Sequence, residues 1–330
     1  MDFGLIIRNA LRAAFGDFAA VYALAAIGLN MHFGYTGLLN FGQAAFLALG
    51  AYGIGVTVTY LTLSLWVGIA VGLVAAVLFA LLLGIPTLRL RADYLAIVTI
   101  AASEIVRFLV RSVTLSDYTG GSFGLSNFAD QFYALNPLSG AQYGIGPIQY
   151  TGRQTWVLLV AWSLVALMTL VTYTLMHSPW GRVLKSIRED EDAARSLGKN
   201  VFVYKMQSLV LGGVIGALGG FMLAISIQSV QPDTYSTAIT FFAYAILILG
   251  GTARVFGPVV GSMIFWALLS LTDNVLRQAV DAGYIPSSIL DGTQIGQVRL
   301  MLVGLGIMLL MIFRPQGIFG DREEIALDAR

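Results

Sequence analysis

The 330-residue sequence has no cysteine, only two histidines and few charged residues. Without cysteine there are no disulfides, no thiolate catalysis and no cysteine metal sites, and two histidines argue against a histidine metal centre. Charged residues make up 11% of the chain, whereas an ordinary soluble domain carries about 25%. This is too little charge to cover a globular surface in water, so a soluble enzyme is excluded.

Neither sign of charge predominates, because the chain has 19 basic and 18 acidic residues. The net charge therefore does not indicate binding to nucleic acid or to an acidic partner. What the chain has in abundance is apolar residues, with 57% hydrophobic content and a mean hydropathy of +0.80. At about 20 residues per membrane span, we predict an all-α polytopic membrane protein with about eight to ten transmembrane helices, in one domain covering 1–330.

Nine apolar segments are candidate membrane spans. All but one are free of charged residues; the exception, 94–111, contains Glu104 and Arg107. The nine candidates are 18–33, 36–60, 65–85, 94–111, 154–176, 206–230, 236–253, 255–272 and 300–313.

The basic residues predict the orientation of the chain. Six of the 19 lie in the loop 177–205, which the positive-inside rule places in the cytoplasm. Counting spans outward from this loop puts Arg89, Arg91, Arg254 and the tail 314–330 inside, and the turn-rich segment 112–153 outside. That outer segment is either a docking surface for an external protein or an inert connector.

The N-terminal residues 1–16 are predicted to form an amphipathic lead-in at the membrane surface. Nine full crossings would put its basic residues, Arg8 and Arg12, outside. They would return to the inner side if 34–60 did not cross as a simple helix. That stretch holds six glycines, and each glycine in a helix costs about 1 kcal/mol relative to alanine.

These glycines have two interpretations that the sequence leaves open. One is a broken or re-entrant element, in which Gly37, Gly42 and Gln43 are candidate pathway residues. The other is close helix packing. A similar interrupted stretch around Gly251 and Gly257 suggests an internal repeat, because paired interrupted segments often mark a translocation path.

The loop 177–205 contains a candidate docking element. The run 180–197 is predicted to be a short amphipathic helix capped by Gly198. One face carries Val183, Leu184, Ile187, Ala194 and Leu197, and the other Lys185, Arg188, Glu189, Glu191, Asp192 and Arg195. The chain has no phosphate-binding loop, so any work from ATP would have to arrive through such an element. The alternative is a helix that merely lies on the lipid surface.

Glu104 and Arg107 are three residues apart on a predicted helix and so can pair. Ionisable groups at membrane depth are expensive and suggest function, such as gating or contact with a zwitterionic substrate. A purely structural ion pair is the alternative. His32 is likewise either a packing residue or a path-lining one, and Gly212, Gly216 and Gly220 predict a flat helix face for close packing.

Residues 192–198, DAARSLG, resemble the E-A-A-x-x-x-G signature of ABC importer permeases, with Asp192 in place of glutamate. Further stretches resemble the LivM-type permease of branched-chain amino acid ABC importers, in that family's order: GYTGLLNFGQAAFLALGAY (34–52), LRLRADYLAIVTIAASEIVR (88–107), TGGSFGLSN (119–127), SPWGRVLKSIREDEDAARSLG (178–198), LGGTARVFGPVVGS (249–262) and FRPQGIFG (313–320).

The resemblance implies a permease subunit of the bacterial inner membrane that is not itself an enzyme. It implies a heterodimer with a LivH-type permease, two cytoplasmic ABC ATPases that bind ATP and Mg²⁺, and an external solute-binding protein. The chain itself would bind membrane lipid but neither cofactor, metal nor nucleic acid. The coupling-helix residues would be Arg182, Lys185, Arg188, Glu189, Asp192, Ala193, Ala194 and Gly198, and the candidate pathway or gating residues Gly37, Gly42, Gln43, Glu104, Arg107 and Gly251.

Two other functions stay open on sequence alone. The permease of a urea importer has the same implied architecture. A secondary transporter or channel that works alone would need intramembrane carboxylates, of which Glu104 is the one clear example.

Overall fold

The computed structural model describes residues 2–90, 92–138, 140–145, 148–285, 294–314 and 317–319. Arg91 and most of the predicted tail 314–330 lie outside these ranges. Within them the chain forms fourteen α-helices: α1 (Phe3–Ala14), α2 (Asp17–Leu29), α3 (Gln43–Thr59), α4 (Leu65–Thr87), α5 (Ala92–Arg111), α6 (Ser116–Thr119), α7 (Asp130–Ala134), α8 (Gly152–His177), α9 (Pro179–Glu189), α10 (Glu191–Ser196), α11 (Val201–Ile227), α12 (Thr237–Gly250), α13 (Gly257–Asp281) and α14 (Ile295–Phe313).

Each of the nine predicted apolar segments overlaps one of these helices, which confirms the all-α polytopic membrane fold. In the described part of the chain, six helices are long and apolar enough to cross a membrane: α2 with its extension to Tyr35, α4, α8, α11, α13 and α14. The apolar helices α3 and α12 have only 17 and 14 residues, or about 26 and 21 Å at 1.5 Å per residue. The 20-residue α5 contains four charged residues.

The glycine-rich segment 34–60 is broken. α2 passes into a π-helix at Asn30–Tyr35, residues 37–42 are not helical, and α3 then starts at Gln43. Its glycines also permit close packing, since a Cβ on Gly50 would lie 2.0 Å from the carbonyl oxygen of Ala217 on α11. The segment is therefore both a broken element and a site of close helix packing, as the two interpretations of its glycines predicted.

The broken segment nevertheless reaches the far end of the bundle. Tyr60, which follows α3, lies against Tyr118 of the segment 112–153, with ring centroids 4.6 Å apart. The non-helical residues 37–42 cover the part of the crossing that the short α3 leaves out. The segment 34–60 thus crosses, although not as a simple helix.

The N-terminal helix α1 lies at this same end, which corrects one expectation. The hydroxyl of Tyr150 donates to the carbonyl oxygen of Arg12 at 3.2 Å, so α1 adjoins the segment 112–153. The hypothesis that the break in 34–60 returns Arg8 and Arg12 to the side of the loop 177–205 is wrong, because α3 completes the crossing.

The centre of the bundle is the pair α2 and α11. α11 also packs on α3 and α4, and α2 also packs on α12 and α13. A Cβ on Gly28 would lie 2.3 Å from the carbonyl oxygen of Gly212, so only glycine permits this approach. The two sets of contacts correspond, since α11 packs on the two helices that follow α2, and α2 packs on the two helices that follow α11. This correspondence supports the hypothesis of an internal repeat.

The segment 112–153 is folded rather than an irregular loop. It contains α6, α7 and three short strands, β1 (Leu125–Ser126), β2 (Gln142–Ile145) and β3 (Ile148–Thr151). β2 and β3 form an antiparallel hairpin, and β1 pairs antiparallel with β4 (Ser229–Val230), with Leu125 opposite Val230. β4 follows α11, so this pairing ties the segment to the central helix.

Candidate coupling element and candidate pathway residues

The basic loop 177–205 folds into two short helices instead of the single helix predicted over 180–197. Asp190 separates α9 from α10 with an extended backbone at φ −152°. Its carboxylate accepts hydrogen bonds from the backbone amides of Asp192 and Ala193, each at 2.9 Å. An aspartate cap satisfies amides that have no partner within the helix. Asp190 therefore ends one helix and starts the next.

One side of α10 packs on the protein and the other is exposed. Ala194 is buried in a small cluster with Ile187 of α9 and Val201 of α11. Ala193 is exposed, and Leu197, predicted on the buried face, is 79% exposed because the helix ends one residue earlier. Small and apolar side chains are thus presented to the surroundings at this end of the bundle.

Gly198 ends α10 in a left-handed conformation with φ +77°. Its amide donates to the carbonyl oxygen of Arg195 at 3.0 Å, and the amide of Lys199 donates to that of Ala194 at 3.2 Å. This pair of bonds is a Schellman motif. No atom lies within 4 Å of a Cβ built on Gly198, so its conformation, not crowding within the chain, calls for glycine here.

One ion pair holds α10 against α11, and two more lie within α10. The carboxylate of Glu191 pairs with Lys205 of α11 and, at 2.9 Å, with Arg195. Arg195 also pairs with Asp192 at 2.9 Å. Beside these residues a surface groove of about 780 Å³ separates α10 from the end of α4. The exposed face of α10 and this groove form one continuous surface, which we call the docking surface.

Arg188 connects this element to the broken segment. Its guanidinium donates to the carbonyl oxygen of Gly34 at 2.6 Å, and its Cγ lies 3.5 Å from a Cβ built on Gly37. A residue predicted for coupling therefore contacts one predicted for the pathway. The other predicted coupling residues on α9 are exposed: Arg182, Lys185 and Glu189.

Gly42 and Gln43 lie where α3 begins, deep among other helices. A Cβ on Gly42 would lie 2.7 Å from the carbonyl oxygen of Thr99 on α5. Gln43 is fully buried, and its Nε2 lies 3.4 Å from the carbonyl oxygen of Gly212 on α11. Contact between Gln43 and a passing solute would require α3 to separate from α11.

A buried polar network joins this region to α2. The amide of Gly42 donates to Oδ1 of Asn40 at 2.9 Å, which turns the Nδ2 of Asn40 toward Nδ1 of His32 at 2.9 Å. Nδ1 then accepts, so Nε2 of His32 carries the proton and donates to the carbonyl oxygen of Leu209 at 3.1 Å. His32 is a hydrogen-bonded packing residue in this conformation. The sequence offered no signal for Asn40.

The second broken stretch meets the first at the end of the bundle that carries α9 and α10. Gly251 ends α12 with φ +105°. Two residues later the amide of Ala253 donates to Oδ1 of Asn30 at 2.9 Å, and Nδ2 of Asn30 donates to the carbonyl oxygen of Arg254 at 2.9 Å. Asn30 lies in the π-helix, so one side chain joins the two irregular stretches.

Glu104 and Arg107 form the predicted pair, with Nη2 and Oε2 2.7 Å apart. Arg107 also contacts Asp233 through Nη1 at 2.8 Å, and the hydroxyl of Thr237 donates to Glu104. Asp233 and Thr237 were not identified from the sequence. The carboxylate of Glu104 is compensated within the chain, as a structural pair requires.

The predicted pathway residues do not form one cluster. Gly37 and Gly251 lie near the α9 end, Gly42 and Gln43 are buried deeper, and Glu104 with Arg107 lies beside the turn before α12. The roles of these residues stay predictions. Among the described residues no three His, Asp or Glu side chains converge as a metal site, and the prediction that the chain binds no cofactor likewise stands untested.

A bundle of long apolar helices with an exposed, charged element of two short helices at one end defines an all-α polytopic membrane protein. A family model described as the permease component of branched-chain amino acid transport systems matches residues 17–313. The chain belongs to this family of ABC transporter permeases and is of the LivM type.

Individual relatives agree with this assignment. The branched-chain amino acid permease LivM of Escherichia coli K12 is 30% identical over 308 residues, which cover 90% of this chain and 67% of LivM. LivH of the same organism is 24% identical over 316 residues and 92% of each chain. The nucleoside ABC transporter permease NupC of Lactococcus lactis is 26% identical over 259 residues and 76% of each chain.

Proposed function

We propose that this chain is a permease subunit of an ABC importer for branched-chain amino acids in the inner membrane of a bacterium. It forms the translocation path with a homologous LivH-type permease. Two cytoplasmic ATPases bind ATP and Mg²⁺ and hydrolyse ATP, and an external solute-binding protein delivers the substrate. The observation that carries the proposal is the family match over nearly the whole chain, on a fold that exposes α10 at its basic end.

The docking surface is suited to an ATPase partner. α10 is capped at both ends and held to α11 by the ion pair of Glu191 with Lys205, so it moves as a rigid body with its small exposed face toward the partner. When the ATPases close on ATP, they displace α10 and, through it, α9. Arg188 passes this displacement to Gly34 and hence to the π-helix and the broken segment.

The segment 112–153 is suited to receive the external binding protein. It is folded, lies at the opposite end from the docking surface, and adjoins α1. Because β1 pairs with β4 directly after α11, a load on this face reaches the same central helix that carries α10. Both ends of the transport cycle therefore act on α11.

The substrate is a hydrophobic amino acid on the strength of the LivM relatives. The similarity to NupC supports nucleosides as a second candidate, and urea remains an alternative suggested by the sequence. A transporter that works alone would need an intramembrane carboxylate that can bind the coupling ion. The carboxylate of Glu104 already pairs with Arg107 and accepts a hydrogen bond from Thr237, which disfavours this function.

The test is purification of the protein from its native membrane in mild detergent, followed by identification of what accompanies it. We expect a second permease and two ATPases, with ATP hydrolysis stimulated by binding protein loaded with leucine and not by urea- or nucleoside-loaded protein. If only nucleoside-loaded binding protein stimulates ATP hydrolysis, the substrate is a nucleoside and not an amino acid. A chain that purifies alone and moves solute in liposomes under an ion gradient would overturn the proposal.

A further inference from the structure

A cavity of about 700 Å³ lies at the end of the bundle opposite the docking surface, which we call the outer end. Its walls come from α1, the starts of α2 and α8, the last turn of α11, and the helices α13 and α14. Tyr133 and Tyr150 of the segment 112–153 also line it. None of the predicted pathway or coupling residues does. A volume of this size is in the range of pockets that hold small molecules, about 300–1,000 Å³.

Five charged residues line the cavity, and two of them form a pair. Asp273 and Arg299 lie 3.2 Å apart. Within the described part of the chain, no basic side chain lies within 4 Å of the carboxylate of Asp17, and no carboxylate lies within 4 Å of Arg12 or Arg153. Opposite charges that share a cavity without touching each other leave room for a ligand that carries both charges.

The cationic side consists of two arginines that lie over tyrosine rings. The guanidinium of Arg153 is 5.4 Å from the ring centroid of Tyr133, and that of Arg12 is 5.0 Å from that of Tyr150. Such a contact uses the flat face of the guanidinium and leaves its N–H fork to match a carboxylate. Arg12 also hydrogen-bonds the hydroxyl of Tyr150. Arg153, which has no such bond among the described residues, is therefore the carboxylate ligand.

Helix ends strengthen the separation of charge. Arg153 is the second residue of the 26-residue α8, whose start carries a partial positive charge. Asp17 accepts a hydrogen bond from the hydroxyl of Ser226 in the last turn of the 27-residue α11, whose end carries a partial negative charge. The full charge of Asp17 exceeds the roughly half positive charge at the start of its own helix. The Asp17 side is thus suited to an ammonium group.

Part of the wall is apolar and aromatic. It is formed by Phe18, Val157, Leu158, Trp266 and Leu269. The rings of Phe18 and Trp266 lie 5.3 Å apart, and Val157 and Leu269 are buried. This wall offers a surface to a hydrophobic side chain.

We propose that the cavity binds a zwitterionic α-amino acid with an apolar side chain. Arg153 holds its carboxylate, Asp17 holds its ammonium group, and its side chain lies on the apolar wall. The proposal rests on the proposed function for the external location of this end. The segment 112–153, suited to the external binding protein, supplies both tyrosines of the cationic side, so the cavity is placed to receive the amino acid when that protein releases it.

A phospholipid with a zwitterionic head group, such as phosphatidylethanolamine, presents the same two charges and an apolar tail. The experiment therefore uses the full-length chain, with any subunits that accompany it, in nanodiscs of phosphatidylglycerol and without the external binding protein. Saturation-transfer NMR titrates L-leucine, isocaproate, which lacks the ammonium group, and isoamylamine, which lacks the carboxylate. We expect leucine to bind about tenfold more tightly than either analogue, the lower end for a charged hydrogen bond, because both partner side chains are partly exposed.

Two variants should exchange the pattern. Arg153→Gln should weaken leucine and isocaproate by about tenfold and spare isoamylamine, whereas Asp17→Asn should weaken leucine and isoamylamine and spare isocaproate. Asparagine keeps an oxygen that accepts from Ser226, so the contact between α2 and α11 is retained. Arg111→Gln and Asp117→Asn remove the same charges at the same end, outside the cavity, and should change nothing.

An equal loss in the two control variants would make the effect one of general surface charge and overturn the proposal, as would equal affinity for leucine and its analogues. Loss of leucine binding when phosphatidylethanolamine replaces part of the phosphatidylglycerol would assign the cavity to lipid instead. If leucine does not bind but loaded binding protein still stimulates ATP hydrolysis, the cavity is rejected and the proposed function stands. If leucine binds with the exchanged pattern but stimulation is absent, the site stands and the proposed function fails.

Discussion

Gly198 provides a test of how the docking surface is held, through three substitutions that separate backbone conformation from bulk. A left-handed conformation costs an ordinary L-residue about 1–2 kcal/mol, and asparagine tolerates it better than alanine or valine does. No atom of the chain lies within 4 Å of the added Cβ, so this strain is the whole cost within the subunit. It lowers the equilibrium constant for formation of the capped α10 by about 5–30-fold.

We therefore expect Gly198→Val and Gly198→Ala to reduce uptake per ATP hydrolysed, with Gly198→Asn close to the wild type. The assay is substrate uptake and ATP hydrolysis measured together in proteoliposomes that contain the whole importer and its loaded binding protein. Yield and thermal unfolding of the purified variants should be unchanged, because the glycine lies outside the apolar bundle.

The order of the three variants decides the matter. If Gly198→Asn is more defective than Gly198→Ala, bulk at the contact with the partner is limiting and the argument from backbone conformation fails. If Gly198→Val couples normally, α10 does not carry the stroke, and the assignment of this element falls.

Three other substitutions probe other contacts. Arg188→Met removes a charged hydrogen bond worth about 1.5–3 kcal/mol, so it should lower uptake per ATP, while the exposed Arg182→Met should not; equal uptake ratios in proteoliposomes would contradict the link. Gly220→Ala places a Cβ 1.9 Å from a carbonyl oxygen of α3 and should lower Tm in detergent by several degrees, whereas Gly304→Ala meets nothing within 4 Å and should leave Tm unchanged. Asp233→Asn removes the carboxylate that pairs with two arginines. Because these pairs are partly exposed, the free energy of unfolding in urea should fall by no more than about 1 kcal/mol. A larger loss would show that the cluster is more than a surface ion pair.

The membrane helices were predictable because an apolar run in hydrocarbon has to satisfy its backbone groups internally. Helical structure in the loop 177–205 was predictable from charge and periodicity, but its division into α9 and α10 was not. Asp190 continues the charged face of the predicted helix, and its capping role depends on φ and on two amide contacts that no periodicity encodes.

The pairing of Glu104 with Arg107 followed from a local rule, since residues three apart on a helix are neighbours. Asp233 could not be found in that way, because it lies 126 residues from Arg107 in sequence. The same holds for Asn40, whose partners are fixed by an irregular stretch. Local spacing thus reaches the pairs within a helix, while the polar contacts between segments depend on tertiary packing.

The hydrogen bond from His32 to Leu209 constrains how the protein is made. The two residues are 177 positions apart, so at about 5–20 residues per second α2 waits about 9–35 s for its partner during synthesis. In that interval the imidazole and the amide of Asn30 have no native acceptor, and α2 has the lowest hydropathy of the six long helices. The π-helix that extends α2 therefore completes its native hydrogen bonds only after both α11 and the stretch with Ala253 and Arg254 have been synthesised.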